Sequence, residues 1–193
     1  MKVVDGCTLS AEHRALLRPG EMLEVAPDEF HRLPQFFFEV ESWQHAKETH
    51  LTPHFTLSEL ITVDCREADL LLHSFPHYVP CAVAVLARYL EDLRERVDAP
   101  ICVAVNGGYR SPAHRLSGRP SPHLWGTAAN IYRIGDTWLE SQKAIERYAR
   151  TAETLGPDVF VRPWGFAPGE TDDHLHMDLG YLLCTPRGYS EAR

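Results

Sequence analysis

The segment from Val79 to Val97 constrains the fold most, because its apolar residues recur at alternating spacings of four and three. That period predicts an amphipathic helix with one buried face and places Glu91 on the solvated face. Pro100 ends any helix, and residues 101–105 are all apolar, which predicts a short buried strand directly afterwards. A chain that changes so quickly from helix to buried strand mixes both kinds of element.

Two stretches carry the pattern of a capping box, in which a hydroxyl and a carboxylate satisfy the first free amides of a helix. Thr56 and Glu59 predict the start of a short helix, and Thr137 and Glu140 predict the start of a longer one. Gly156 is placed to end the longer helix. That helix is expected to bury one face, formed by Trp138, Ile145, Tyr148, Ala152 and Leu155.

Residues 159–161 and 174–183 are candidate strands. Helices and short strands follow each other without regular alternation, which favours an α+β fold with a small, mainly antiparallel sheet flanked by helices. Residues 1–50 have a different character, since glycine and prolines interrupt them and they contain a run of three phenylalanines near residue 37. We interpret residues 1–50 as an N-terminal arm of unknown role and residues 51–193 as the main domain.

The formal net charge of −8 at pH 7 argues against binding to nucleic acid or anionic membranes, because phosphate groups need a basic surface. The N-terminus has charges where a signal peptide has its apolar core, and no run of about 18 apolar residues occurs. We therefore expect a soluble, cytoplasmic protein. The five cysteines are odd in number and form no CxxC pattern, so buried free thiols in a reducing compartment are expected.

Two stretches combine histidines with other polar residues that could bind a metal ion. In residues 121–130, His123 lies in a proline-led turn, and in residues 172–178 two histidines and an aspartate alternate and would share one face of a strand. A catalytic zinc site takes three nitrogen, oxygen or sulfur ligands and leaves a fourth position for water. His123 and His176 would supply two ligands, and Asp173 is a candidate general base for that water.

Three motifs occur in order, and together they are far more specific than any one of them. They are Tyr109-Arg110-Ser111-Pro112-Ala113-His114, then Ser121-x-His123-x-x-Gly126-x-Ala128-x-Asn130, then His174-x-His176-x-Asp178. This combination resembles the D-alanyl-D-alanine carboxypeptidase and dipeptidase family of zinc peptidases, whose fold is shared by the Hedgehog signalling domains. The resemblance covers roughly residues 51–183 and includes the leading segment 54–60.

The resemblance implies roles for individual residues. It implies one zinc ion held by three side chains: His123, Asn130 and His176. Asp173 corresponds to the catalytic carboxylate, although strict strand geometry would turn it away from His176 unless the chain bends before the strand. Arg110 would steady the substrate carbonyl or the developing oxyanion. His174 would lie close to the metal and bind substrate or stabilise charge, while Asp178 and Ser121 would support the ligands from behind.

Asn130 departs from the family pattern, which has an aspartate there. A neutral amide oxygen is a poorer zinc ligand than a carboxylate and removes a negative charge. Three explanations follow: a weakened but working site that His174 or Asp178 completes, a fold that has lost catalysis and kept a peptide-binding cleft, or an engineered Asp-to-Asn change.

The sequence thus predicts a zinc-dependent metallopeptidase that acts on short peptides of the cell-wall D-Ala-D-Ala type. The alternative is a non-enzymatic peptide-binding or regulatory domain of the same fold. In a third interpretation the histidines bind no metal and pair with acids.

Overall fold

The computed structural model describes residues 1–61, 77–166 and 172–187. The strands in these ranges are β1 (Val3–Asp5), β2 (Met22–Ala26), β3 (Glu29–Arg32), β4 (Phe36–Glu39), β5 (Tyr78–Pro80), β6 (Ile101–Val103), β7 (Ala128–Ile134), β8 (Thr137–Trp138), β9 (Phe160–Val161) and β10 (Leu175–Asp178). The helices are α1 (Ala11–Leu17), α2 (Trp43–Glu48), α3 (Val83–Val97) and α4 (Gln142–Glu153). Short 3-10 helices span Gly6–Thr8, Leu57–Leu60 and Pro122–Trp125.

The main sheet has the strand order β6-β7-β10-β9, and β8 also pairs with β7. Each of these pairings is antiparallel. A second sheet has the order β1-β4-β5, and β2 and β3 form a separate hairpin. Helices α3 and α4 supply apolar side chains to the core beside the main sheet. The predicted α+β class with a mainly antiparallel sheet is therefore confirmed.

Helix α3 begins later than its apolar period suggested. Val83, Leu86, Leu90 and Leu93 are buried as predicted. Val79 belongs instead to β5, where it lies opposite Phe38 of β4. The spacing of four residues between Val79 and Val83 is compatible with one continuous helix and also with a strand that ends before the helix. Val79 is in a strand because it pairs with β4.

Glu91 is buried, so its predicted place on the solvated face of α3 is wrong. The loop that precedes the 3-10 helix Leu57–Leu60 covers this part of α3. The His54 backbone N–H donates to the Glu91 carboxylate at 3.2 Å. Burial alone would raise the pKa of Glu91, but hydrogen bonds from Thr52 and His54 outweigh it and lower that pKa. The predicted capping box at Thr56 and Glu59 is confirmed.

The predicted capping box at Thr137 is wrong. Residues Thr137 and Trp138 form β8, which folds back on the end of β7 through a turn at Gly135, and Trp138 is 55% exposed. Helix α4 begins later, with Ser141 as its N-cap, and ends at Glu153 before reaching Gly156. The chain turns at Gly135, whose φ is +55°, and pairs back on β7. Thr137 and Trp138, which the capping pattern assigned to a first helical turn, are therefore part of a strand.

Other expectations hold in shortened form. In α4, Ile145, Tyr148 and Ala152 are buried as predicted. Strand β6 ends at Val103, and Val105 is 60% exposed, so the buried strand predicted for 101–105 is too long. Strand β9 confirms the strand predicted at 159–161, while β10 covers only the first part of 174–183. The chain turns after β10 at Gly180, whose φ is +65°.

Residues from the N-terminal fifty pack against the rest of the described chain, and two of these contacts position parts of the fold discussed below. Strand β4 pairs with β5, and Phe37 of β4 is buried. The indole N–H of Trp125 donates to the Arg32 carbonyl at 2.8 Å, and Leu33 packs in the same apolar cluster. The division of the chain at residue 50 stays a prediction.

Cys7, Cys81, Cys102 and Cys184 are free thiols in the described part of the chain, but only Cys81 is fully buried and Cys7 is exposed, so the predicted burial is wrong for Cys7. Burial raises the pKa of the Cys81 thiol to about 12. Cys65 lies outside the described residues. Across the described ranges, no helix has the length and apolar character needed to cross a membrane.

Candidate metal-binding site

The register of the main sheet brings two of the predicted ligands together. His176 on β10 lies directly opposite Asn130 on β7. The Nδ1 atom of His176 is 2.8 Å from the side-chain oxygen of Asn130. Since these residues are 46 positions apart in sequence, the antiparallel pairing of β7 and β10 creates the contact.

His123 reaches the same point from the 3-10 helix Pro122–Trp125. The helix ends at Gly126, where the backbone has a φ of +70°, a left-handed conformation that favours glycine. His123 is 3% exposed, and the centroid of its ring is 5.3 Å from that of His176. Its Nδ1–H donates to the Gly108 carbonyl at 2.9 Å, because a carbonyl oxygen can only accept. The Nε2 atom of His123 therefore keeps its lone pair.

Asp178 fixes the tautomer of His176. Its carboxylate lies 2.8 Å from His176 Nε2 and also accepts the Gly180 backbone N–H at 2.8 Å. A carboxylate can only accept, so the hydrogen of the His176 ring is on Nε2. The Nδ1 lone pair then faces Asn130. A hydrogen bond on the far side of each imidazole is the arrangement typical of metal-binding histidines.

Both imidazoles are neutral at pH 7. Burial, followed by the charge of Arg110, holds the pKa of His123 well below its ordinary value. Burial also lowers the pKa of His176, and the hydrogen bond with Asp178 opposes this shift only in part. A neutral imidazole is the form that binds a metal ion.

Arg110 lies beside these histidines and is held by its own hydrogen bonds. Its guanidinium donates to the Asn106 carbonyl from Nε at 3.2 Å and from Nη2 at 2.9 Å. Burial and then the charge of Arg162 lower the pKa of Arg110 to about 10, so the side chain stays charged at pH 7. Arg110 thus presents a fixed positive charge at the site.

Asp173 and His174 lie just before β10 begins at Leu175. The Nδ1 atom of His174 is 2.6 Å from the Asp173 carboxylate. The bend before the strand, which the proposed role of Asp173 requires, is present. The Asp173 side chain is 76% exposed. Unlike His174, Asp173 does not line the cavity that His123, Asn130 and His176 share.

That cavity has a volume of about 840 Å³. It contains His123, Asn130 and His176, and Ser121 also lines it. Its lining includes a set of arginines: Arg110, Arg115, Arg119 and Arg162. Sequence reasoning identified only the first of these four. The segment between the first two motifs holds Arg115 and Arg119, so its basic character was the available signal, whereas nothing local distinguishes Arg162.

Residues 53–178 match the family model for peptidase M15, which is 126 of the 193 residues. The chain belongs to the peptidase M15 family. Peptidases of the M15 family are zinc-dependent metallopeptidases. The matched range contains every predicted site residue from Arg110 to Asp178. No curated protein and no solved structure matches the chain.

The donors at this site fit a zinc ion in number and type, but not in charge. Two imidazole nitrogens and one amide oxygen give three ligands and leave a fourth position open. Within the described ranges, no three His, Cys, Asp or Glu side chains converge to hold a metal. The third predicted ligand, Asn130, carries an amide instead of a carboxylate. Asp178 contacts Nε2, at the opposite edge of the His176 ring from Nδ1, so Asp178 does not take the place of Asn130 as a ligand. A neutral ligand set binds a dication more weakly than a set with a carboxylate.

Proposed function

We propose that this M15 chain is a zinc-dependent peptidase that hydrolyses short peptides of the D-Ala-D-Ala type. The observation that carries the proposal is the pair of hydrogen bonds behind the two imidazoles. Gly108 holds one ring and Asp178 the other, so His123 Nε2 and His176 Nδ1 keep their lone pairs. Metal-binding histidines need this orientation, whereas histidines that serve only as charged surface groups do not.

His123, His176 and Asn130 would hold the zinc ion, which supplies Lewis-acid chemistry at a peptide carbonyl when bound. The Arg110 guanidinium would donate hydrogen bonds to the carbonyl oxygen as negative charge develops there. Asp173 would accept a proton from the attacking water and pass it to the departing amine, while the His174 ring holds its carboxylate. The water oxygen would form a bond to the carbonyl carbon, the C–N bond would break, and the products would be a carboxylate and an amine.

One observation favours a second function, a peptide-binding domain without catalysis. With its hydrogen on Nε2, His176 presents an acceptor to the Asn130 amide 2.8 Å away. The oxygen and nitrogen of an Asn side chain are exchanged by a rotation about χ2, so the amide N–H can donate to this acceptor. An aspartate in its ionised form could not. Asn130 therefore allows His176 to be satisfied without a metal ion.

Zinc binding and hydrolysis in the native chain and in Asn130→Asp decide between the two functions. We expect the native chain to bind one zinc ion by calorimetry and to cleave D-Ala-D-Ala. The variant should bind zinc at least about 100-fold more tightly, because a carboxylate places a negative charge next to the dication. Gln142→Glu, which adds the same charge at an exposed position at the start of α4, should leave zinc affinity unchanged.

The outcomes separate the proposals. If the native chain binds peptide but neither binds zinc nor cleaves, and Asn130→Asp does both, the chain is a binding domain derived from a peptidase. If zinc affinity is the same in both proteins, the assignment of Asn130 as a ligand is wrong. The cytoplasmic location stays a prediction, and cell fractionation tests it.

A further inference from the structure

Two large apolar side chains lie exposed at the cavity of the candidate site. Leu116 and Phe166 both line this cavity, and they are 38% and 59% exposed. His123 and His176 in the same cavity are 3% and 1% exposed, so the histidines lie at its floor and the two apolar side chains at its mouth. Pro120, which is half-buried, adds a third apolar group to the lining. Apolar surface is thus grouped next to the residues proposed to bind zinc.

The loop that carries Leu116 is held by its own hydrogen bonds. The His114 backbone N–H donates to the Ser111 carbonyl at 2.9 Å, and the Ser117 hydroxyl donates to the same carbonyl at 2.8 Å. The Leu116 backbone N–H donates to the Nδ1 atom of His114 at 3.1 Å. These contacts fix the backbone on both sides of Leu116, so the loop places this side chain at the cavity before any ligand binds.

Phe166 reaches the cavity from a different segment, which follows β9. The guanidinium of Arg162 lies over the Phe166 ring, 5.3 Å from its centroid. A cation over an aromatic ring attracts one face of it and so favours one position of the side chain. Because most of Phe166 is still exposed, apolar ring surface is left for contact with a ligand.

Exposed apolar side chains are ordinary when they are scattered, whereas a group of them at one cavity indicates a binding surface. Ligand cavities combine an apolar lining with a few polar groups that fix the orientation of the ligand. Here the Arg110 guanidinium and the Asn130 amide supply polar groups, while Leu116 and Phe166 supply apolar area. A ligand that covers both apolar side chains removes their surface from water and gains affinity.

We infer that the site takes peptides with an apolar group on the N-terminal side of the cleaved bond, and that Leu116 and Phe166 bind this group. The inference rests on the proposed function, since it assigns the substrate class of the same site. A peptide of the D-Ala-D-Ala type ends one residue after the cleaved bond and has only methyl side chains. The part that extends from the floor of the cavity to its mouth is therefore N-terminal to that bond. A cavity of about 840 Å³ has room for such a ligand.

A matched set of ligands tests the inference. N-acetyl-, N-butanoyl- and N-hexanoyl-D-Ala-D-Ala carry the same single charge and differ only in apolar length. Full burial of one methylene group raises affinity about fourfold, and we expect about half of this free energy at the open mouth of the cavity. In calorimetry with the metal-free full chain, the butanoyl peptide should bind at least about fourfold, and the hexanoyl peptide at least about tenfold, more tightly than the acetyl peptide.

Two properties of this preference distinguish apolar contact from charge. The heat capacity change of binding should become more negative as the acyl group lengthens, because more apolar surface is buried. The preference should also persist when the salt concentration is raised from about 0.05 M to 0.5 M, because ions screen charges and the acyl groups carry none.

Variants locate the apolar group. Since both side chains are exposed, Leu116→Ala/Phe166→Ala should fold normally, and the three peptides should bind to it within about twofold of each other. The control is Leu16→Ala/Phe30→Ala, which removes side chains that are 40% and 53% exposed and lie outside the cavity, and which should keep the native preference. Equal affinity of the native chain for the three peptides overturns the inference, and so does a preference that survives in Leu116→Ala/Phe166→Ala.

Cleavage of the same peptides with zinc present separates this inference from the proposed function. If the hexanoyl peptide binds preferentially but none of the peptides is cleaved, the inference about the apolar group stands and the peptidase proposal fails. If all three peptides are cleaved with the same kcat/KM and bind equally, the peptidase proposal stands and the inference fails.

Discussion

Replacing Asp178 with asparagine tests whether this residue sets the tautomer of His176. The Asp178 carboxylate accepts two hydrogen bonds, from His176 Nε2 and from the Gly180 backbone N–H, each at 2.8 Å. An asparagine has one oxygen, and the Gly180 N–H cannot change from donor to acceptor. The oxygen of the introduced amide would therefore face Gly180 and its N–H₂ group would face Nε2, which forces the ring hydrogen onto Nδ1.

The expected cost follows from burial. The side chains of His176 and Asp178 are 2% and 6% exposed, so water does not compensate for a weaker contact. Replacing a buried hydrogen bond to a charged acceptor with a neutral one costs about 1 kcal/mol of unfolding free energy. For a chain of this length, we expect the melting temperature to fall by about 2–4 °C. Zinc affinity should fall about 10- to 100-fold, since Nδ1 no longer offers a lone pair.

Three measurements check the Asp178→Asn prediction: thermal unfolding, zinc titration by calorimetry and the nitrogen-15 chemical shifts of the His176 ring. The control is Asp136→Asn, which removes the same charge from an exposed turn between β7 and β8 and should change none of the three. If the ring shifts and the zinc affinity of Asp178→Asn equal those of the native chain, the assigned tautomer is wrong. A loss of stability alone would not support the reasoning.

Two further predictions concern stability. Glu91→Gln should lower unfolding free energy by about 1–3 kcal/mol at pH 7, because buried hydrogen bonds from His54 lose a charged acceptor. The pKa of Glu91 in the folded chain lies below its ordinary value, so this contribution to stability is lost as the pH falls through the folded pKa. The unfolding free energies of the native chain and of Glu91→Gln, measured by chemical unfolding, should therefore converge below pH 4.5. A difference that stays constant with pH would contradict the prediction. Gly108→Ala should prevent correct folding, because a Cβ atom there would overlap the Leu60 carbonyl group. The control is Gly118→Ala, which should fold normally because no atom lies within 4 Å of the added Cβ. Circular dichroism distinguishes the two outcomes.

The sequence predicts local features well where one signal acts alone. The buried face of α3 and the capping box at Thr56 were correct, because apolar period and side-chain capping act within a few residues. The pattern at Thr137 failed, since pairing of β8 with β7 competes for the same residues and has no local signature. Glu91 was misplaced for a related reason: its hydrogen-bond partner, His54, is 37 positions away in sequence.

The candidate site shows the same division between local and distant signals. Motif order pointed to His123, Asn130 and His176, but the contact between Asn130 and His176 depends on the register of β7 and β10. The tautomers of the two histidines depend on the Gly108 carbonyl and the Asp178 carboxylate, which spacing alone could suggest only for Asp178. Arg162 could not be found, because its place at the cavity follows from the pairing of β9 with β10.

The 3-10 helix that carries His123 is fastened on two sides. Gly108 holds the histidine ring from one side, and the Trp125 indole is tied on the other to the Arg32 carbonyl in the N-terminal part of the chain. The family match begins only at residue 53. A fragment cut at that boundary would keep all three motifs and still lose the hydrogen bond between Trp125 and Arg32, which supports the turn of the proposed ligand His123. The range that matches the family is therefore shorter than the set of residues that position this histidine.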